Sequence, residues 1–282
     1  MNFGSLTKNP YSAILKLLQS KDDYMKITCL TENTSVNEDI KAEHGLSLFI
    51  ETKGHKILFD TGQTELFSEN ADKLGVALDT VDIAVLSHGH YDHGGGLARF
   101  LQLNETAPVY INKNAFGDYY NGTEKYIGLD KRLKESDRII LTDDEYKIAD
   151  GLTLFTCNDR EKSFDLGSFG LNKNVDGEFI PDDFLHEHYL LIEEEGKRIL
   201  ISGCSHKGVL NIAQWFKPDF LIGGFHFSKL PLDDTLKGYA LFLDSLDTEF
   251  YTCHCTGEEQ YQFMKKYMKK LSYLSAGQTV NL

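Results

Sequence analysis

The sequence predicts an α/β fold in which two β-sheets pack face to face with helices on the outside. Two segments each contain a pair of β-type runs joined by a tight turn, GLSLFIET with KILFD and HYLLIEEE with KRILISG. Each pair is followed by strands that alternate with helices, which is the pattern of βα units. Because 41% of the residues are apolar, the chain can also bury the core that two packed sheets require.

The first half of the chain begins with a polar lead and a short amphipathic helix, predicted as an N-terminal extension over residues 1–24. From Met25 the pattern changes to strands, MKITCLT, GLSLFIET and KILFD, the last two joined by the turn Gly54-His55. Residues 64–74 have helical spacing and end at Gly75, a typical helix stop. VDIAVLS is then a continuous apolar run of the buried-strand type, and GGLARFLQL resumes as a helix.

Two segments, near residues 112–137 and 158–185, show little periodicity. Long irregular segments often cover a functional site, and a tolerated surface insertion is the alternative. Order then returns with the hairpin HYLLIEEEGKRILISG, the strands PDFLIGG and EFYTCH, and the helices LDDTLKGYALFLDSL and EEQYQFMKKYMKKL. We therefore predict one domain over residues 25–282, with the two irregular segments as its covers.

The overall charge and composition exclude several classes of partner. Lys and Arg number 29 and Asp and Glu 43, a formal charge of −14. Such a surface repels a phosphate backbone and anionic lipid, so we expect neither a nucleic acid nor a membrane as partner. There is no apolar run of about 18 residues, no secretory signal and no disulfide-framework spacing among the five cysteines. These features predict a cytoplasmic protein.

The strongest chemical signal is SHGHYDHGGG, which places His88, His90, Asp92 and His93 within six residues directly after a buried strand. Imidazoles and carboxylates are good ligands for borderline divalent metals, and the glycines permit the tight turn that brings them together. Histidines two apart leave a strand end on the same side, whereas Asp92 and His93 point elsewhere. One loop can thus serve two neighbouring metal positions, and the spacing predicts a dinuclear site.

This motif, HGHYDH, resembles the His-x-His-x-Asp-His signature of the metallo-β-lactamase superfamily, and LFDTG at 58–62 is similar to that superfamily's strand-ending Asp-Thr-Gly. The resemblance covers the chain from about residue 25 onward. It implies a four-layer αβ/βα sandwich of two mixed sheets, with two divalent metal ions at the mouth between them. Zinc is the first choice, and manganese and iron are alternatives. The resemblance also implies that Asp60 steadies the metal loop, a simple turn-forming Asp being the other interpretation.

Three later segments resemble one branch of the superfamily: ISGCSH at 201–206, GGFH at 223–226 and HCTG at 254–257. With SHGHYDHGGGL they are similar to the 7,8-dihydropterin-6-ylmethyl-4-(β-D-ribofuranosyl)aminobenzene 5′-phosphate synthases. The resemblance implies that His206 and His254 are further metal ligands. Cys204 stands where the superfamily usually has a bridging Asp, so it either bridges as a thiolate or is a small buried packing residue.

The position of Glu187 resembles an acidic residue of this branch, and it is a candidate ligand together with its neighbours His186 and His188. His226 ends the strand PDFLIGG in a Gly-rich turn. We interpret it as a proton donor or a substrate-phosphate contact, with a capped core histidine as the alternative.

Four other residues are excluded from the predicted site. Cys253 and Cys255 flank His254, and strand alternation would point their thiols away from the side that His254 faces. His44 and His55 lie outside any motif, so we expect them to be structural or exposed to solvent.

The resulting prediction is a dinuclear metallohydrolase that acts on an anionic small molecule bearing a phosphate or carboxylate, through a metal-bound hydroxide. One metal would be held by His88 and His90 with His206 or a residue near 187. The other would be held by Asp92, His93 and His254. Asp92 and His226 are the predicted catalytic residues.

Three alternatives remain open at this stage. The first is a synthase-type transferase that joins a pterin methyl carbon to an arylamine, with the same metals as Lewis acids and with aromatic residues available for stacking at positions Tyr119, Tyr120, Tyr126, Phe164 and Phe169. The second is a di-iron redox protein, for which we expect no room for a flavin domain in 282 residues. The third is a sensor whose metal site is coordinatively closed.

Overall fold

The computed structural model describes residues 25–282, so the predicted N-terminal extension lies outside the described residues. Within that range the chain forms 18 strands: β1 (Lys26–Thr31), β2 (Ser47–Glu51), β3 (Lys56–Phe59), β4 (Ile83–Leu86), β5 (Val109–Asn112), β6 (Tyr119–Asn121), β7 (Lys125–Tyr126), β8 (Ile139–Thr142), β9 (Glu145–Ala149), β10 (Leu152–Phe155), β11 (Leu171–Val175), β12 (Glu178–Pro181), β13 (Tyr189–Glu194), β14 (Lys197–Ile201), β15 (Phe220–Gly223), β16 (Glu249–Thr252), β17 (Leu271–Tyr273) and β18 (Thr279–Asn281).

The helices of the described range are α1 (Leu66–Leu74), α2 (Tyr91–Gly94), α3 (Leu97–Leu103), α4 (Val209–Phe216), α5 (Asp234–Asp244) and α6 (Glu258–Met264). Short 3₁₀ turns lie at Leu78–Thr80, Lys131–Glu135 and His254–Thr256. None of these helices is long and apolar enough to cross a membrane.

The strands form two seven-stranded mixed sheets, ordered β18-β1-β2-β3-β4-β5-β8 and β17-β16-β15-β14-β13-β10-β9. In the first sheet β3, β4, β5 and β8 are parallel, and in the second β14, β15, β16 and β17 are parallel. The remaining pairs of both sheets are antiparallel. The predicted two-sheet α/β architecture is confirmed.

Successive residues of the apolar strands pack against opposite faces of each sheet, and both faces are covered. In β4, Ile83 and Val85 pack into the core between the two sheets, whereas Ala84 and Leu86 pack against the helices outside. A strand buried on both faces must read as a continuous apolar run, as VDIAVLS does. The second sheet is covered outside in the same way by residues of α4, α5 and α6.

The two segments predicted to be irregular are partly ordered. They supply a third sheet, with the order β12-β11-β6-β7, in which Leu171 of β11 pairs with Asn121 of β6. The sheet is held by a small apolar cluster that includes Tyr119, Ile127 and Phe184. The sequence did not reveal it because β6 and β7 are only three and two residues long and carry no apolar alternation.

Candidate metal centre

The chemically active side chains lie at the carboxyl ends of strands from both sheets. In the first sheet Asp60 follows β3 and His88 follows β4. In the second sheet Cys204, His226 and His254 follow β14, β15 and β16. Because these strands are parallel within each sheet, their carboxyl ends meet along one edge, where α/β proteins bind ligands.

The loops at this edge have unusual backbone conformations. Asp60, Ser205, His226 and His254 all have positive φ angles, of 60°, 57°, 57° and 49°. Residues other than glycine rarely adopt this left-handed backbone region, because it costs on the order of 1–3 kcal/mol per residue. The surrounding structure must stabilise these loops, and it does so while directing their side chains into one centre.

The first group of candidate ligands consists of three buried imidazoles, His88, His90 and His206. The Nε2 atoms of His88 and His206 are only 3.3 Å apart. His90 Nε2 has no hydrogen-bond partner within the described chain, its nearest carboxylate oxygen being Asp182 Oδ2 at 3.8 Å. Burial and the neighbouring imidazoles lower the pKa of His88 and of His206 well below the usual range. All three are thus suited to bind a metal as neutral ligands.

The second group joins Asp92, His93 and His254. His254 Nε2 lies 3.2 Å from His93 Nε2 and 3.4 Å from Asp92 Oδ2, and Asp92 Oδ2 lies 3.8 Å from His93 Nε2. Burial alone would raise the pKa of Asp92, but His93 and His254 hold it well below the usual range. Asp92 therefore offers a charged carboxylate to a cation.

Cys204 lies between these two groups. Its Sγ is 3.1 Å from His93 Nε2, and its ligand atom is within 4.8 Å of those of His88 and His93, and likewise of those of His206 and His226. The thiol is therefore in reach of both groups, as a bridging ligand would have to be.

Cys255 also belongs to this centre, which corrects the expectation that it faces away. Its Sγ is within 4.8 Å of the ligand atoms of Cys204 and His254, and it contacts the Cys204 carbonyl. Alternation fails here because β16 ends at Thr252 and the chain enters a 3₁₀ turn with His254 at positive φ. Cys253, by contrast, lies in the core between the sheets.

His44, which the sequence predicts to be structural or exposed to solvent, lies at the edge of the centre. Its Nε2 is 3.2 Å from Asp92 Oδ2, and its ring centre is 4.9 Å from that of His254. Together the three form a group of possible ligands at the exposed side of the centre. No local signal marks His44, because its loop meets the metal loop only through tertiary packing. His55 lies elsewhere, beside Asp82.

Asp60 holds two of the candidate ligand histidines in place. Its carboxylate accepts hydrogen bonds from the backbone N–H and hydroxyl of Ser87, at 2.7 and 2.8 Å, and lies 2.6 Å from His93 Nδ1. The Ser87 hydroxyl in turn lies 2.8 Å from His88 Nδ1. Burial lowers the pKa of His93, but Asp60 and Asp92 outweigh burial and raise it to about 9. Both Nε2 atoms are thereby directed toward the centre.

Glu187 anchors the loop that carries His206. One oxygen of its buried carboxylate accepts the His206 backbone N–H at 2.7 Å. The other accepts the Lys207 backbone N–H at 3.1 Å and the Tyr189 hydroxyl at 2.6 Å. Because both oxygens are engaged with these donors, the geometry does not support the predicted role of Glu187 as a metal ligand.

The two histidines beside Glu187 support the metal loop. His186 Nδ1 accepts the Gly89 backbone N–H at 2.9 Å, and its Nε2 lies 3.0 Å from Asp182. His188 Nε2 donates to the Leu86 carbonyl at 2.7 Å. Within residues 25–282, three histidines have a buried ring nitrogen without a hydrogen-bond partner. They are His90 at Nε2, His206 at Nδ1 and His226 at Nδ1.

A cavity of about 640 Å³, which includes open solvent at its mouth, lies over the centre. Its lining combines the ligand groups with residues of the third sheet: His44, His90, Tyr91, Asp92, Asn121, Lys125, Ile127, Leu171, Cys204, His206, His226, Ser228, Lys229, His254 and Cys255.

The donor chemistry fits divalent metal ions. Converging imidazoles with low pKa, a charged carboxylate, thiols and buried nitrogens without partners together form a set that a protein rarely assembles except around metal. Such a centre at the strand ends of two packed, helix-covered sheets defines a metal-binding α/β protein. The chain belongs to the metallo-beta-lactamase superfamily, whose family description matches residues 40–242. Members of this superfamily bind divalent metals.

Three similar proteins extend this assignment. An uncharacterized protein of Methanocaldococcus jannaschii, MJ0448, is 32% identical over 240 residues, covering 82% of this chain and 90% of the relative. The 7,8-dihydropterin-6-methyl-4-(beta-D-ribofuranosyl)-aminobenzene-5'-phosphate synthase of the same organism is 29% identical over 286 residues, covering 92% and 97%. The crystal structure of Tm1679, a metal-dependent hydrolase of the beta-lactamase superfamily, is 29% identical with a TM-score of 0.78, covering 92% and 99%.

Proposed function

We propose that this protein is a dinuclear metallohydrolase that acts on an anionic, phosphate-bearing small molecule. The observation that carries the proposal is the meeting of two ligand groups within one cavity. The first is His88, His90 and His206, and the second is Asp92, His93 and His254. Cys204, which lies within reach of both, is proposed to occupy the position between the two metals.

Two divalent ions, with zinc the first choice, would supply an activated water and polarise the oxygen of the substrate. The chain itself fixes the geometry. Asp60 and Ser87 hold His93 and His88 by their Nδ1 atoms, and Glu187 holds the backbone of the His206 loop. These contacts reduce the reorganisation needed during reaction.

His226 is proposed to move a proton to the leaving group. It is half-buried on the cavity wall, with its ring 4.4 Å from that of His206, and its Nδ1 is unpaired within the described residues. Histidine is the side chain that most often serves as a general acid or base in catalysis. Asp92, besides being a proposed metal ligand, is proposed to accept a proton from the activated water.

The phosphate-bearing substrate class rests on charge and on one relative. Two metals would attract an anion into a chain whose formal charge is −14. The name of the synthase relative includes a 5'-phosphate.

That relative also makes the transferase the second candidate. The same residues would then hold metals that act as Lewis acids for condensation of a pterin with an arylamine. Aromatic residues expected to stack on a pterin do not line the cavity as the structure describes it. Phe164, for example, packs against Phe242, and Tyr120 packs against Phe179. This placement favours the hydrolase.

Metal content per chain tests the proposal, and it is measured by elemental mass spectrometry after metal-replete expression. We expect close to two metals in the wild type. His88→Ala and His254→Ala should each lose at least one, because each removes a ligand from a different group. His55→Ala, which alters a histidine beside Asp82 instead, is the control and should keep both. One metal or none in the wild type would refute the dinuclear mechanism.

A second assay separates the two activities. The metal-loaded protein is incubated with phosphodiesters and, in parallel, with a phosphorylated arylamine and a dihydropterin whose 6-methyl carbon carries a leaving group such as a phosphate ester, which departs as the carbon–nitrogen bond forms. Metal-dependent release of an alcohol supports the hydrolase. Formation of a pterin–arylamine adduct without such release would support the transferase.

A further inference from the structure

The mouth of the cavity differs in charge from the rest of the molecule. Although the whole chain carries −14, Asp92 is the single acidic residue among the described residues that line the cavity, and it belongs to the metal-ligand group. The same lining contains two lysines, Lys125 and Lys229, both exposed. Among the residues that line the cavity, the lysines therefore outnumber the carboxylates, although the protein as a whole is acidic.

The two lysines come from different parts of the fold. Lys125 lies on β7 of the third sheet, where its Nζ donates to the Tyr91 hydroxyl at 3.1 Å and sits 5.2 Å from the centre of that ring. Lys229 follows β15 of the second sheet, and its Nζ donates to the Phe169 carbonyl at 3.2 Å. Each ammonium thus has a neutral acceptor that orients it, and each still has donor capacity left.

Neutral acceptors leave the charge of these lysines uncompensated. Across residues 25–282, no carboxylate forms an ion pair with either one, whereas Lys131 near the third sheet pairs with Asp118 at 2.6 Å and Lys173 of β11 pairs with Asp183 at 2.5 Å. A lysine paired with a carboxylate has little attraction left for an anion. Lys125 and Lys229 retain theirs, and they face the cavity that the paired lysines do not line.

We propose that Lys125 and Lys229 form a subsite for a phosphate group that the substrate carries away from its reacting bond. The inference rests on the proposed function, since it assigns the reacting end to the metal groups. Ile127 and Leu171 also line the cavity and give it apolar surface that suits a carbon skeleton, and Ser228 adds a hydroxyl to the lining. The ligand class is therefore a phosphorylated small organic molecule with its phosphate at the end remote from the chemistry.

A calorimetric titration tests the subsite. The zinc-loaded protein is titrated with inorganic phosphate at two salt concentrations. The wild type should bind phosphate in two phases, one at the metals and one at the lysines, the second being the more salt-sensitive. Lys125→Gln/Lys229→Gln should weaken the salt-sensitive phase about tenfold or more, because it removes two charged donors. Lys125→Arg/Lys229→Arg should retain it.

Two further variants separate the failure of this inference from the failure of the proposed function. Lys113→Gln/Lys147→Gln removes the same charge from lysines that line no part of this cavity, and it should bind phosphate as the wild type does. His88→Ala/His254→Ala should lose the metal phase and keep the lysine phase. If Lys125→Gln/Lys229→Gln gives the same isotherm as the charge-matched control, the subsite is refuted, whatever the metal phase does.

Discussion

Asp60 supports the centre although it is not among the residues that line the cavity. Its carboxylate is fully buried at the end of β3, held there by a backbone of positive φ, and it contacts both Ser87 and His93. A ligand histidine whose second nitrogen is held by a carboxylate has a fixed ring orientation and a more basic ligand atom. Asp60 therefore orients two imidazoles from different groups of candidate ligands, His93 directly and His88 through Ser87.

Replacing this charge should weaken metal binding without removing a ligand. We expect Asp60→Asn to lower zinc affinity about 10–100-fold, measured by competition with a chromogenic chelator. Asn tolerates the left-handed backbone that this position requires, so the effect reports the lost charge rather than a distorted turn. Asp82→Asn, on the surface beside His55, should leave the affinity unchanged. Equal affinities for Asp60→Asn and the wild type would show that Asp60 has no such role.

At the scale of elements, the turn from β4 into α2 is confined from several sides. Gly89 lies so close to the next loop that a Cβ at this position would be 2.2 Å from the Ala115 carbonyl oxygen. Its backbone N–H is also bonded to His186. Gly203 is confined in the same way by the Ser87 hydroxyl, at 2.2 Å. The turn therefore has no room to relax, which keeps His88 and His90 on one side.

Adding one methyl group at Gly89 should test how closely the turn is packed. We expect Gly89→Ala to lower the free energy of unfolding by about 1–3 kcal/mol, because backbone atoms cannot move aside as a flexible side chain would. Gly54→Ala is the matched control: nothing lies within 4 Å of its Cβ, and the change should be neutral or slightly stabilising. Urea denaturation measures both. Equal stabilities of the two variants would contradict the close approach of the Ala115 loop.

Elements with local signals were predictable, and elements made by distant pairing were not. The strand β4 and the ligands that follow it could be predicted because burial on both faces and the HGHYDH spacing are written in consecutive residues. The third sheet could not, since Leu171 meets Asn121 across 50 positions without an apolar pattern. The prediction that Cys255 faces away from the site is wrong because strand alternation does not continue past Thr252, where β16 ends.

At the scale of the whole molecule, each of the two groups of candidate ligands draws on both sheets. His88 and His90 come from the first sheet, but their partner His206 comes from the second, and the same division separates Asp92 and His93 from His254. No single half of the chain holds a complete set, so metal binding reports the docking of the two sheets. The sequence supplied the ligand types, whereas contacts such as that of His44 with Asp92 arise only from this docking.

The stability of the whole molecule should depend on pH through His188. Burial lowers the pKa of His188 to about 4, whereas an unfolded histidine titrates near 6.5. Between these values the unfolded chain binds a proton that the folded chain does not, so the free energy of unfolding falls as the pH falls from 6.5 to 4, by about 3 kcal/mol at most.

The difference between wild type and His188→Gln isolates this contribution. Denaturant unfolding at several pH values should give curves that converge as the pH decreases through this window, because the glutamine variant lacks the proton uptake. Both proteins are stripped of metal with a chelator before unfolding, so that acid release of metal does not enter the difference. Curves that stay parallel from pH 7 to 4 would contradict the inferred burial of a neutral His188.

The antiparallel pairing of β1 with β18 has a consequence for synthesis. Thr28 and Thr279 contact each other across 251 residues of chain. At about 5–20 residues per second, translation of that length takes roughly 13–50 s. During this interval β1 can pair with β2 on one side while its other edge stays open to any extended segment nearby. The ribosome thus releases β1 long before it releases β18, the strand that covers its open edge. Until then β1 can pair with a wrong segment, and β18 is synthesised after all the residues of the candidate metal centre.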